Sequence, residues 1–125
     1  MRTVFLMRKV YELWNEDCIV TPSKLAEKLS VSKSTAHKIL LSISKKGFGR
    51  YIERKGLILN EEGIKIAKKA LRTHRLLECM LQEIGVENVC FEAEKIEDNI
   101  GEGLLKTLEE KYGKRRICPC GKYIP

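Results

Sequence analysis

The stretch TPSKLAEKLSVSKSTAHKILLSISKKG, residues 21–47, decides the fold. Thr21-Pro22 opens a helix, with a hydroxyl at the N-cap and proline at the first helical position, where a backbone N–H would find no helical acceptor anyway. Leu25, Ala26 and Leu29 recur at helical spacing and supply the buried stripe of a short helix. Ser30-Val31-Ser32-Lys33 interrupts it. Ser32 is then placed to cap a second helix with the apolar row Ala36, Ile39, Leu40 and Ile43, ended by Gly47. Two short helices joined by a tight turn form a helix-turn-helix.

Downstream the period changes. Phe48–Ile52 and Leu57–Leu59 are β-prone and flank Glu53-Arg54-Lys55-Gly56, which is hairpin chemistry with glycine at the turn. A hairpin directly after the second helix is a wing. Upstream, Leu6, Val10, Leu13 and Trp14 make residues 3–16 an amphipathic helix.

The charge follows the same division. Residues 1–60 hold twelve Lys and Arg against five Asp and Glu, whereas twelve bases and twelve acids balance in the rest. The whole net charge of +7 therefore sits on the first half. A polyanion bound by that half, or a solvated basic surface, would each produce this asymmetry. The order helix, turn, helix, basic wing favours DNA. A helix that reads base edges buries one face and shows short polar and cationic groups near its N-terminus. Ser32, Lys33, Ser34, Thr35, His37 and Lys38 are left outward here, Thr21 opens the preceding helix, and Arg50, Arg54 and Lys55 of the wing suit phosphate or minor-groove contact. Gly47-Phe48-Gly49 is no phosphate loop, lacking both the spacing and the following Lys-Ser/Thr.

Asn60-Glu61-Glu62 caps a helix running to about Ile84, before Gly85. Glu87–Ile100 and Gly103–Tyr112 complete the helices, and the tail from Lys114 reads as irregular. His74 and Glu78, four apart, share a helix face. Val89, Ala93, Ile96 and Ile100 form an inward row, with Cys90, Glu94 and Glu97 beside it and Asp98 four residues after Glu94. Imidazole, thiol and carboxylates on facing helices are what bundles use for transition metals; solvated faces with an incidental His and Cys are the alternative.

Length and composition bound the rest. The 125 residues, 43% hydrophobic, suit one domain or a small domain with an appendage. No apolar run nears the roughly 20 residues that span a bilayer, and Arg8, Lys9 and Glu12 interrupt any secretory segment, so a soluble cytoplasmic protein is expected. Five cysteines then do not imply disulfides: Cys18 and Cys79 are expected to pack as small apolar groups. Cys118 and Cys120 lack zinc-finger spacing, leaving an irregular tail, a thiol switch or a mixed site with Cys90. No motif pairs a nucleophile with a base, so an enzyme is not expected.

Leu71-Arg72-Thr73-His74-Arg75-Leu76-Leu77-Glu78, then Glu92-Ala93-Glu94-Lys95-Ile96-Glu97, then Cys118-Pro119-Cys120-Gly121-Lys122-Tyr123-Ile124-Pro125 together resemble the diphtheria-toxin-repressor-like family. Its members are metal-dependent winged-helix repressors answering to iron or manganese. The resemblance runs from Tyr11-Glu12-Leu13 through Gly56-Leu57 and Glu62-Gly63 to the tail, without the SH3-like third domain of some members. It implies a mainly α fold: a winged helix-turn-helix over residues 1–62 with a two-stranded wing, then an all-helical dimerisation and metal-binding domain over 63–125.

The resemblance also implies a homodimer on a double-stranded, palindromic DNA operator, with Leu104, Leu105, Leu108 and Tyr112 at the dimer interface. A divalent metal, Fe2+ or Mn2+ with Zn2+ as a further choice, falls to His74, Glu78, Glu94 and Glu97. Cys90 stands where iron-type members have a His, and Asp98 where a His usually follows the second Glu. The first-helix ligand of the family falls at Phe5, and a second carboxylate of manganese-type members at Arg8. These two residues leave open a metal-independent winged-helix regulator with a thiol, small-ligand or protein input.

Overall fold

A computed structural model describes residues 2–125. Among them the order is α1 (Thr3–Asp17), α2 (Pro22–Leu29), α3 (Lys33–Lys45), β1 (Gly49–Ile52), β2 (Gly56–Leu59), α4 (Glu61–Glu83), α5 (Val89–Ile96), a 3-10 turn (Glu97–Asn99) and α6 (Glu102–Tyr112). Among the described residues no helix is long and apolar enough to cross a membrane. The described residues form two compact units: residues 6–68, and residues 69–125 together with the segment up to Phe5.

In the first unit, local signals set the element ends. Thr21 Oγ1 accepts from Lys24 N at 3.2 Å and caps α2, while Ser30 closes it in the left-handed region. Ser32 Oγ accepts from Thr35 N at 3.1 Å and caps α3. Met7, Val10, Leu13, Val20, Leu25, Ala36, Leu40, Ile43, Leu57 and Leu59 are buried. In the antiparallel hairpin, Arg50 pairs with Ile58 and Tyr51 with Leu57. Val20 and Leu57 exchange both backbone hydrogen bonds at 2.9 Å, joining the wing to the segment that leads into α2. Gly56 makes that join possible, since a Cβ there would lie 2.4 Å from the Val20 carbonyl oxygen. Asn60 caps α4 by accepting from Gly63 N at 2.8 Å, and its amide donates to the Gly47 carbonyl at 2.7 Å.

The second unit packs Leu76, Leu77, Cys79, Leu81, Val89, Ala93, Leu108 and Tyr112 into one core with Cys118 and Ile124 of the tail. Two expectations change, one in each unit. The helix foreseen over Glu87–Ile100 is α5 plus a 3-10 turn. Within that stretch Glu97, four residues after the buried Ala93 and so on its face, is buried, whereas Ile96, foreseen inward, is exposed. The tail has no helix or strand, as foreseen, yet it closes on itself, with Ile117 bridged to Tyr123 and Cys118 N donating to the Lys122 carbonyl at 2.9 Å. Cys79 is buried as foreseen, but Cys18 is exposed. It ends α1 in the left-handed region at φ 52° with its N–H donated to Trp14.

Candidate DNA-reading surface and candidate metal centre

Burying Ala36, Leu40 and Ile43 turns the opposite face of α3 to solvent, so Lys33, Ser34, Thr35, His37 and Lys38 are all exposed. Thr21, Pro22, Ser23, Lys33, Ser34, His37, Tyr51, Arg54 and Lys55 line one open groove of about 550 Å³. It combines the first turns of α2 and α3 with the wing. The His37 and Tyr51 rings meet edge to face, centroids 5.1 Å apart. Arg54 sits at φ 65°, the left-handed residue that lets a three-residue loop close the hairpin. Helix N-termini carry partial positive charge and free N–H groups, and with Lys33, Arg54 and Lys55 beside them the groove suits phosphate oxygens.

Ser32, Thr35, Lys38 and Arg50 lie outside the groove lining. The Ser32 hydroxyl donates to Thr35 Oγ1 at 2.9 Å as well as capping α3, and Arg50 shares the outward face of the hairpin with Ile58. Tyr51 and Ser23 were not anticipated. They face the groove through hairpin register and the α2 first turn, which apolar periodicity does not report.

In the second unit, α4 presents His74 and Glu78, both buried, toward α5 and the 3-10 turn. His74 Nδ1 lies 2.8 Å from Glu97 Oε1. With Glu97 ionised its oxygen accepts from Nδ1–H, which leaves the lone pair of a neutral ring on Nε2. Nε2 is 3.4 Å from Cys90 Sγ and 4.0 Å from Glu78 Oε1. Ligand atoms of His74, Glu78 and Cys90 all fall within 4.8 Å of one another. An imidazole nitrogen, a carboxylate oxygen and a sulfur so gathered fit a divalent transition ion, with Glu97 orienting the imidazole from behind as metal-bound histidines require.

The other foreseen ligands are placed differently. Asp98 Oδ1 accepts the N–H groups of Val4 at 2.8 Å and Phe5 at 3.2 Å, and Arg2 Nε reaches its Oδ2 at 3.3 Å, so Asp98 caps the start of α1. Glu94 is half-buried on α5, its carbonyl accepting from Arg2 at 2.9 Å. Arg8 is buried within the first unit, 3.6 Å from Glu12, whose other oxygen meets Lys28 at 3.0 Å. Burial opposes the Glu12 charge, but the Lys28 hydrogen bond and the charges of Lys28, Lys9 and Arg8 hold its carboxyl below its ordinary range.

Two features were not foreseen. Cys120 Sγ donates to Glu78 Oε2 at 2.9 Å, and that hydrogen bond, with burial, pushes the thiol up to about 12. Arg72 forks onto both oxygens of Glu109 at 2.6 and 2.8 Å and also donates to the carbonyls of Gly113 and Pro125. The row assigned to a dimer contact divides: Leu108 and Tyr112 are buried in the chain's own core, Leu104 is exposed and Leu105 half-buried.

Comparison with known proteins covers both units. Residues 5–57 match the N-terminal DNA-binding domain of the iron dependent repressor, and residues 60–125 its metal binding and dimerisation domain. The HTH-type transcriptional regulator MntR of Bacillus subtilis (strain 168) is 31% identical over 120 residues, 88% of this chain and 84% of that protein. MntR of Geobacillus thermodenitrificans (strain NG80-2) is 33% identical over 96 residues, 75% and 68% of the two chains. A manganese-dependent transcriptional repressor in complex with manganese superposes with a TM-score of 0.80 at 28% identity, over 96% of this chain and 58% of that one. The hypothetical protein SSo2273 from Sulfolobus solfataricus has the same fold at similar length, with a TM-score of 0.75 over 97% and 95% of the two chains.

Proposed function

The chain belongs to the iron-dependent, diphtheria-toxin-repressor-like family of metal-responsive DNA-binding regulators, and on that premise we propose a cytoplasmic homodimer that represses metal-homeostasis genes. Residues 1–62 bind the operator, and residues 63–125 dimerise and hold the ion. The observation that carries this reading is the groove, which gathers Thr21, Lys33, Ser34, His37, Arg54 and Lys55 around the first turns of α2 and α3. Lys33, Arg54 and Lys55 neutralise phosphates, while Ser34 and His37 are short enough to approach base edges. Two copies present their α3 helices to half-sites about one turn apart, ~34 Å.

His74, Glu78 and Cys90 hold the ion, Fe2+ or Mn2+ by family and Zn2+ by donor type, and Glu97 keeps the His74 lone pair aimed at it. When bound, the ion ties the α4 side chains to α5. Asp98 and Arg8 are engaged elsewhere, which favours a site built on His74, Glu78 and Cys90 over one that draws on the first helix.

The test is operator binding in chelator, Fe2+, Mn2+ or Zn2+. Affinity rising at least tenfold with one ion supports the reading. Equal affinity in chelator and every metal overturns metal response and leaves the regulator with a thiol, ligand or protein input. No binding at moderate salt under any condition overturns DNA binding as well.

A further inference from the structure

The tail brings two more sulfurs to the same carboxylate. Cys118 and Cys120 flank Pro119 in the loop closed by the Ile117–Tyr123 bridge, and Gly121, at φ +83°, turns the chain so that its N–H reaches the Cys118 carbonyl at 2.8 Å. Ligand atoms of Glu78, Cys118 and Cys120 lie within 4.8 Å of one another, as do those of His74, Glu78 and Cys90. Glu78 belongs to both groups: Oε1 lies toward His74 Nε2 and Oε2 against Cys120 Sγ. Cys90 and Cys120 also line one open cleft with Val86, Asn88 and Pro119, of about 400 Å³, which gives an ion a route from solvent.

We propose that Cys118 and Cys120 join His74, Glu78 and Cys90 in a thiolate-bearing site that selects a thiophilic divalent ion, of the Zn2+ or Fe2+ class, over Mn2+. The inference rests on the metal-responsive reading above and adds the tail to it. Carboxylate and water suit Mn2+, whereas sulfur and imidazole suit Zn2+ and Fe2+, and affinity at nitrogen and sulfur sites rises from Mn2+ toward Zn2+. Each thiol that ligates forms a metal–sulfur bond and releases its proton to solvent; no electrons move. The order of the tail around Cys118, with Ile124 in the core beside it, means the sulfurs are held near Glu78 by the fold.

The test uses the full chain, reduced and metal-free, titrated with Co2+ as a spectroscopic probe and then with Zn2+ and Mn2+ in competition. Wild type should show thiolate-to-cobalt charge transfer that Zn2+ abolishes. In C120S this absorption should weaken and Zn2+ affinity fall about tenfold or more, while Mn2+ affinity changes less than about threefold. C118S/C120S should retain only the absorption due to Cys90. Cys118 is buried and C118S can disturb the core, so the exposed Cys120 supplies the deciding variant. Identical spectra and Zn2+ affinities in wild type and C120S, with metal still bound, overturn the tail's role alone. No binding of Co2+, Zn2+ or Mn2+ by wild type overturns the metal reading with it.

Discussion

Replacing Lys33 and Arg54 with alanine removes two of the cations that line the groove while leaving the core of the DNA-binding unit untouched, since neither side chain is buried. If each contacts one phosphate, a dimer loses four contacts. At about 0.9 per contact the slope of log affinity against log salt should flatten by ~3.6, so between about 50 and 200 mM salt the wild type should lose ~150-fold more affinity than the variant. Fluorescence anisotropy of labelled operator across that range measures both slopes, with circular dichroism checking that helix content is unchanged. Lys106→Ala, an exposed lysine on α6, is the control and should leave the slope alone. Slopes for wild type and double variant that agree within about one unit would refute the contact map, whatever happens to affinity at a single salt concentration.

Three further outcomes follow from the geometry. Glu12→Gln should destabilise the chain by about 2 kcal/mol at pH 7, because Lys28 and the buried Arg8 lose a charged partner. The Glu12 pKa is depressed in the fold, so its stabilisation is present above its ordinary value of 4.5 and lost as pH falls through the folded value. Denaturation midpoints of the two proteins should therefore converge as pH falls through that folded value, and a gap undiminished by acid would count against the pair. Gly63→Ala places a Cβ 1.9 Å from the Phe48 carbonyl oxygen and should cost roughly 2–3 kcal/mol, read from thermal unfolding; a neutral result would rule out that approach of α4 to the chain after α3. Arg72→Lys keeps the charge but not the fork onto Glu109, Gly113 and Pro125, so amide exchange at Cys118, Gly121 and Ile124 should accelerate. Unchanged protection would show that the tail is held without the fork, by its other hydrogen bonds and its apolar packing.

What the chain announces in advance divides by range. Thr21, Ser32 and Asn60 cap helices through contacts three residues away, and each is plain from its neighbours. Gly56 reads as a turn residue, although the contact that requires it, with the Val20 carbonyl, is a distant one. The groove residues on α3 were legible as the complement of Ala36, Leu40 and Ile43. Phase failed at the end of α5: Glu97, four residues after the buried Ala93, holds the inward position behind His74, and Ile96, three residues after Ala93, is exposed. Pairings across long separations left no periodic trace. Asp98 meets Val4 over 94 residues and Cys120 meets Glu78 over 42, and nothing near any of those four positions predicts its partner. The tail's apolar pair, Cys118 and Ile124, is too sparse to register as a core segment, yet both are buried.

The Arg72 fork has a consequence for how an ion would be held. In small zinc-dependent folds the metal pays the entropy of ordering the chain, so stripping it unfolds the protein. Here one guanidinium already ties α4 to Glu109 on α6, to Gly113 and to the end of the tail, and Ile124 anchors the same segment in the core. The chain entropy around Cys118 and Cys120 is lost during folding rather than on metal uptake. Ion binding can then be fast and reversible, and its free energy goes into discriminating one ion from another and into operator affinity rather than into building the site.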